Sequence, residues 1–140
     1  MTCSAHTPDA PPAKVLVVDD DPDFIEQHTI LLSAQGFTVV SANSVEEALE
    51  VAGREVPQAF VLDLMMEHTD SGARLARALR RDARFAHAPI VLLTSVAQEM
   101  GFEFDRNPQE VLAWGKADAW FEKPAPGEEL GRTLRSLLAR

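Results

Sequence analysis

Short continuous apolar runs recur along the chain, separated by stretches whose apolar positions return every three or four residues. VLVV (15–18) and FVL (60–62) have the unbroken apolar character of strands covered on both faces. FTVVSA (37–42) and PIVLLT (89–94) read the same way, and DAWFE (118–122) is a shorter fifth strand. Helices fit between them. The first runs from about Pro22 to Gln35: Asp21 is its N-cap, Pro22 suits the first helical position and Gly36 suits the stop. Ser44-Val45-Glu46-Glu47 is a capping box, opening a helix that turns Ala48, Leu49 and Ala52 inward and stops near Gly53. Over 72–84, Leu75, Ala76, Leu79 and Ala83 share one face, with Arg74, Arg77, Arg81 and Arg84 on another. Leu130, Leu134, Leu137 and Leu138 stripe a last helix. Alternation of this kind predicts a three-layer α/β domain with right-handed crossovers. In such sheets ligands sit outside the carboxyl ends of the strands, where the strand order reverses.

Length and composition narrow this picture. A chain of 140 residues, 46% hydrophobic and 25% charged, fits one globular domain with a substantial core. Residues 1–13 (MTCSAHTPDAPPA) are small, polar and proline-rich, and read as a disordered lead-in to a domain over 14–140. No apolar run approaches the roughly 18 residues of a membrane span, and no export signal is expected at the start. The single Cys3 fits a reducing, cytoplasmic setting. A net charge of −9 argues against nucleic acid or an anionic membrane as direct partner and in favour of proteins. There is no internal repeat.

The ends of the predicted strands carry the chemistry. The first ends in Asp19-Asp20, the third in Asp63 and the fourth in Thr94-Ser95, and the fifth is followed by Lys123-Pro124. On one rim, three carboxylates against one lysine leave excess negative charge, which a hard divalent cation such as Mg²⁺ resolves. With a phosphoryl group present, Asp63 is a candidate nucleophile. Mg²⁺ and Lys123 would neutralise the transferring group, and the Thr94 hydroxyl would donate to one of its oxygens.

In order and spacing, VLVVDD, VLDLMM, PIVLLTS and ADAWFEKP resemble the receiver domain of two-component response regulators over about residues 14–139. The resemblance implies a flavodoxin-like (βα)5 sandwich with a parallel five-stranded sheet in the order 2-1-3-4-5. It implies phosphorylation of Asp63 by a histidine kinase or phosphotransfer protein, in a monomer or a phosphorylation-linked dimer. Asp20 and Asp63 would bind Mg²⁺ directly with the carbonyl of Met65, and Asp19 through water. Thr94 would be the switch hydroxyl, and Trp120 stands in the place of the switch aromatic. Lys123 would contact the phosphoryl group, next to a cis bond to Pro124. Such a module is no enzyme beyond its own phosphorylation and dephosphorylation. Met65 and Val96 offer an attacking water no hydrogen bond, which predicts a long-lived phosphoryl group.

Two departures from the family pattern stand out. After Asp63 the chain reads DLMMEHTDSG: Glu67 replaces the usual proline and Gly72 arrives one residue late. Thr94 and Lys123 are also further apart than is usual. Asn107-Pro108-Gln109-Glu110 reads as a helix start, so an irregular stretch over about 96–106 and a short helix over about 108–114 are expected. There Phe102, Phe104 and Trp114 either fill a local core or form a docking surface, with core filling preferred.

Plainer readings stand beside these. Asp21 and Asp23 read as cap and turn residues, and His28 as a hydrogen-bonded histidine at the core edge. His6, His68 and His87 lack metal-ligand spacing, and the arginine stripe reads as a solvated face. An enzyme of the haloacid dehalogenase type also uses a strand-end Asp with Mg²⁺, but it needs an Asp where this chain has Met65. A degenerate receiver that binds partners without phosphorylation is the remaining alternative, opposed by the intact Asp20, Asp63, Thr94 and Lys123 set.

Overall fold

A computed structural model describes residues 13–64, 71–94, 117–122 and 127–139. The strands are β1 (Lys14–Val18), β2 (Thr38–Ala42), β3 (Ala59–Asp63), β4 (Ile90–Thr94) and β5 (Ala119–Glu122). The helices are α1 (Pro22–Ala34), α2 (Val45–Glu55), α3 (Ser71–Arg80) and α4 (Gly127–Ala139), with a 3-10 turn at Ala83–Phe85. The strands pair in parallel in one sheet, in the order β2-β1-β3-β4-β5. This is the flavodoxin-like arrangement.

Strand alternation divides the core between the two faces of the sheet. Leu16, Val18, Phe60, Leu62, Ile90 and Leu92 pack with residues of α2 and α3. Val15, Val17, Val61, Val91 and Leu93 pack with Leu32 of α1 and with Leu130 and Leu134 of α4. β1, β3 and β4 are buried nearly throughout, as their unbroken apolar runs require. β2 is different: Thr38 and Ser41 are exposed, because β2 lies at the edge of the sheet, where covering is partial.

Local chemistry sets the helix ends. Asp21 caps α1, its carboxylate accepting from the Asp23 amide at 2.9 Å. At the other end Gly36 takes φ +97°, which lets the Phe37 amide turn back to the Leu32 carbonyl. The Ser44 hydroxyl accepts from the Glu47 amide at 3.1 Å, while the Glu47 carboxylate reaches one residue past the cap, to the Asn43 amide at 2.7 Å. α2 passes through Gly53 and ends two residues later, because Val56 takes the left-handed conformation at φ 48°. α3 stops at Arg80 rather than continuing to 84, and Ala83 is exposed. There Asp82 caps the 3-10 turn and is held below its ordinary pKa of 3.8 by the Arg84 side chain and amide.

Arg80 joins the amino-terminal side of the sheet together. It donates to Asp118 at 3.0 Å and to the carbonyls of Phe85 and Ala88 at 2.9 and 2.6 Å. Asp118 in turn accepts from the Ile90 amide at 2.9 Å. At the far edge Gln35 donates to the Gly127 carbonyl at 2.7 Å and Arg135 donates to the Gln35 carbonyl, fixing α4 against the end of α1.

Candidate functional site

In a parallel sheet every strand ends on the same rim. β2 lies on one side of β1 and β3 on the other, so the chain reverses direction between them and opens a crevice outside their carboxyl ends. Asp19 and Asp20 follow β1 at this point, and Asp63 is the last residue of β3. One carboxylate oxygen from each of the three lies within 4.8 Å of the others.

The three are differently set. Asp19 and Asp63 are 2% and 4% exposed, whereas Asp20 faces solvent. One Asp19 oxygen accepts from the Asp21 amide at 2.9 Å, and the Asp19 amide donates to the Ala42 carbonyl at 3.2 Å. Asp19 therefore also shapes the turn into α1, whose amino terminus faces the same rim and favours negative charge there. The Leu64 amide donates to the Leu93 carbonyl at 2.7 Å, extending the β3–β4 pairing one residue past Asp63. Thr94 ends β4 one position beyond Leu93, the register partner of Asp63, and is 6% exposed.

Three clustered carboxylates repel one another, and oxygen donors converging from two strand ends suit a hard cation. The donor set fits Mg²⁺. A carboxylate open to solvent beside two buried ones also leaves a route for water.

Trp120 is half-buried on β5, opposite Leu92 of β4, and packs against the core on the α2–α3 side. Thr94 has the same strand parity as Leu92 and so lies on that side of the sheet too. The two switch candidates thus share one face. His28 is buried on α1, as expected, and its Nδ1 hydrogen-bonds the Phe24 carbonyl at 2.8 Å. Its Nε2 has no partner among the described residues, so the ring is only half satisfied.

Several expected features lie outside the described residues: Lys123 and Pro124, Met65, Glu67, Val96, the lead-in over 1–12, and the 96–114 stretch with Phe102, Phe104 and Trp114. One contact beside the site escaped the sequence reading. Gly72 is pressed against the main chain of Asp63 and Leu64. The glycine was visible in the sequence, but its neighbours across the loop were not.

Comparison with known proteins accords with this geometry. Residues 15–131 match the family model of the response regulator receiver domain. Response regulator Rre1 of Synechocystis sp. is 34% identical over 132 residues, covering 94% of this chain and 54% of that protein. Protein PilH of Pseudomonas aeruginosa is 28% identical over 130 residues, covering 91% of this chain and 98% of that protein. The chain thus spans about half the length of Rre1 and of several other curated relatives it matches, and nearly all of PilH. Among solved structures, a putative response regulator from Chloroflexus aurantiacus superposes with a TM-score of 0.78 at 28% identity, over 92% of this chain and 99% of that one. The BeF3-activated N-terminal receiver domain of Klebsiella pneumoniae RstA superposes with a TM-score of 0.74 at 31% identity, over 91% and 99%.

Proposed function

The chain belongs to the response regulator receiver domain family, and from that premise we propose that it is a phosphoacceptor module, over residues 14–140, taking a phosphoryl group onto Asp63 in a two-component or phosphorelay pathway. The observation that carries this reading is the convergence of the Asp19, Asp20 and Asp63 carboxylates at the reversal of strand order.

In the proposed reaction an Asp63 oxygen attacks the phosphorus of a phosphohistidine on a histidine kinase or phosphotransfer protein. The new O–P bond forms as the P–N bond breaks, and the imidazole leaves with the electron pair and takes up a proton. Asp20 and Asp63, with the Met65 carbonyl, would hold Mg²⁺ directly, and Asp19 would hold it through water. Bound there, Mg²⁺ would supply charge neutralisation for the phosphoryl oxygens. Asp19 also keeps the turn into α1 in place through the Asp21 amide. The Thr94 hydroxyl donates to a phosphoryl oxygen, and Lys123 pairs with another. Thr94 and Trp120 then carry the change along β4 and β5, a role supported by their place on one face of the sheet. Hydrolysis is slow, because Met65 and Val96 cannot orient the attacking water. The module works in the cytoplasm. Among the described residues no helix is long and apolar enough to cross a membrane.

The test is a small phosphodonor with Mg²⁺, followed by intact mass measurement. One added phosphoryl group, persisting well beyond seconds and absent from Asp63→Asn, is the expected result. An unmodified wild type that still binds Mg²⁺ would overturn the reading.

A further inference from the structure

The main chain that follows Asp63 is held from both sides. The Leu64 amide donates to the Leu93 carbonyl at 2.7 Å, and the Leu64 carbonyl accepts from the Gly72 amide at 2.8 Å. That second bond satisfies one of the open amides in the first turn of α3. It also brings α3 so close that a Cβ on Gly72 would lie 2.3 Å from the Asp63 carbonyl oxygen and 2.7 Å from the Leu64 Cα. The third neighbour, at 2.9 Å, is the Asp63 carbonyl carbon. All three are backbone atoms and cannot rotate away. Gly131 differs, because there the obstacle is the end of the Gln35 side chain, and a Cβ on Gly53 would meet nothing within 4 Å.

We propose that Gly72 is a positioning residue for Asp63: its missing side chain seats α3 on the acceptor's main chain and so sets where the Asp63 carboxylate stands against Asp19 and Asp20. The proposal rests on Asp63 being the acceptor. An ordinary contact at 3.4 Å in place of 2.3 Å requires a displacement of about 1 Å, and a misplacement of that size costs on the order of 100-fold in rate. With Leu64 tied to β4 on its other side, the displacement falls on Asp63 or on the start of α3. Where it falls on Asp63, the carboxylate cluster loses the arrangement that brings its oxygens within 4.8 Å of one another.

The experiment compares wild type, Gly53→Ala, Gly72→Ala and the double variant. Gly53→Ala stabilises α2 without touching the site and supplies a background that tolerates the second change. Fold is read by circular dichroism and urea unfolding, backbone position by the amide resonances of Asp63, Leu64 and Gly72, and the site by Mg²⁺ titration. Phosphorylation is timed against phosphoramidate concentration. Gly53→Ala should match the wild type. Gly72→Ala, alone or in the stabilised background, should stay folded, move the Asp63 and Leu64 amides and weaken Mg²⁺ binding. Its saturated phosphorylation rate should fall about 100-fold with half-saturation unchanged. A folded Gly72→Ala with wild-type amide shifts or a wild-type rate would sink the proposal. A double variant that does not fold would also sink it, because the glycine would then serve the fold as a whole. A wild type that takes no phosphoryl group would instead defeat the acceptor reading, leaving the amide shifts and Mg²⁺ affinity to decide the role of Gly72.

Discussion

Arg80 and Asp118 carry charge into the interior, with side chains 11% and 16% exposed. Their ion pair does more than neutralise charge, because Arg80 also satisfies carbonyls between the 3-10 turn and β4, while Asp118 holds the first amide of that strand. Replacing one partner leaves the other charge desolvated, which costs about 3–5 kcal/mol. Arg80→Met should therefore lower unfolding free energy in urea by that order, and Arg80→Met/Asp118→Asn should lower it less than the sum of the single changes. Additive losses would show that the pair is not coupled. The arginine stripe read from the sequence comprised Arg74, Arg77, Arg81 and Arg84 and did not single out Arg80. Its task depends on Asp118, which lies 38 residues away.

α2 illustrates how a tertiary setting moves a boundary that local signals place elsewhere. Its capping box starts the helix where Ser44 and Glu47 predict, yet Gly53 does not end it. The chain closes at Val56 instead, a β-branched residue at φ 48°. Left-handed backbone costs an ordinary L-residue roughly 1–2 kcal/mol. Val56 is 46% exposed, so truncation forfeits little packing. Val56→Gly should raise unfolding free energy by about 0.5–1 kcal/mol in urea titration, with Val56→Ala giving less. A loss of stability on Val56→Gly would mean that the valine side chain holds the helix end in place. The same reasoning covers α3: its apolar period continues to Ala83, but Asp82 draws three hydrogen bonds from Arg84 and turns the chain into a 3-10 turn first.

For the molecule as a whole, the carboxylate cluster couples cation binding to folding. Three acidic groups drawn together at the rim repel one another, and a cation that binds only the folded state stabilises it by mass action. Mg²⁺ at a hundred times its dissociation constant should add about 2.7 kcal/mol to the unfolding free energy, read as a rise in melting temperature. Asp20→Asn should remove that gain. An equal Mg²⁺-dependent rise in Asp20→Asn would exclude Asp20 as a ligand. The sequence by itself determined the strands, most helix starts, the α/β class and the acidic residues at the strand ends. Apolar runs, caps and prolines act within a few residues, and their order along the chain is enough to carry the resemblance to the receiver family. Only the tertiary structure decided that β2 is a half-covered edge, that His28 leaves one nitrogen without a partner among the described residues, and that Gly72 touches Asp63. Each of these depends on atoms brought together from distant parts of the chain, where packing and desolvation act without regard to sequence separation.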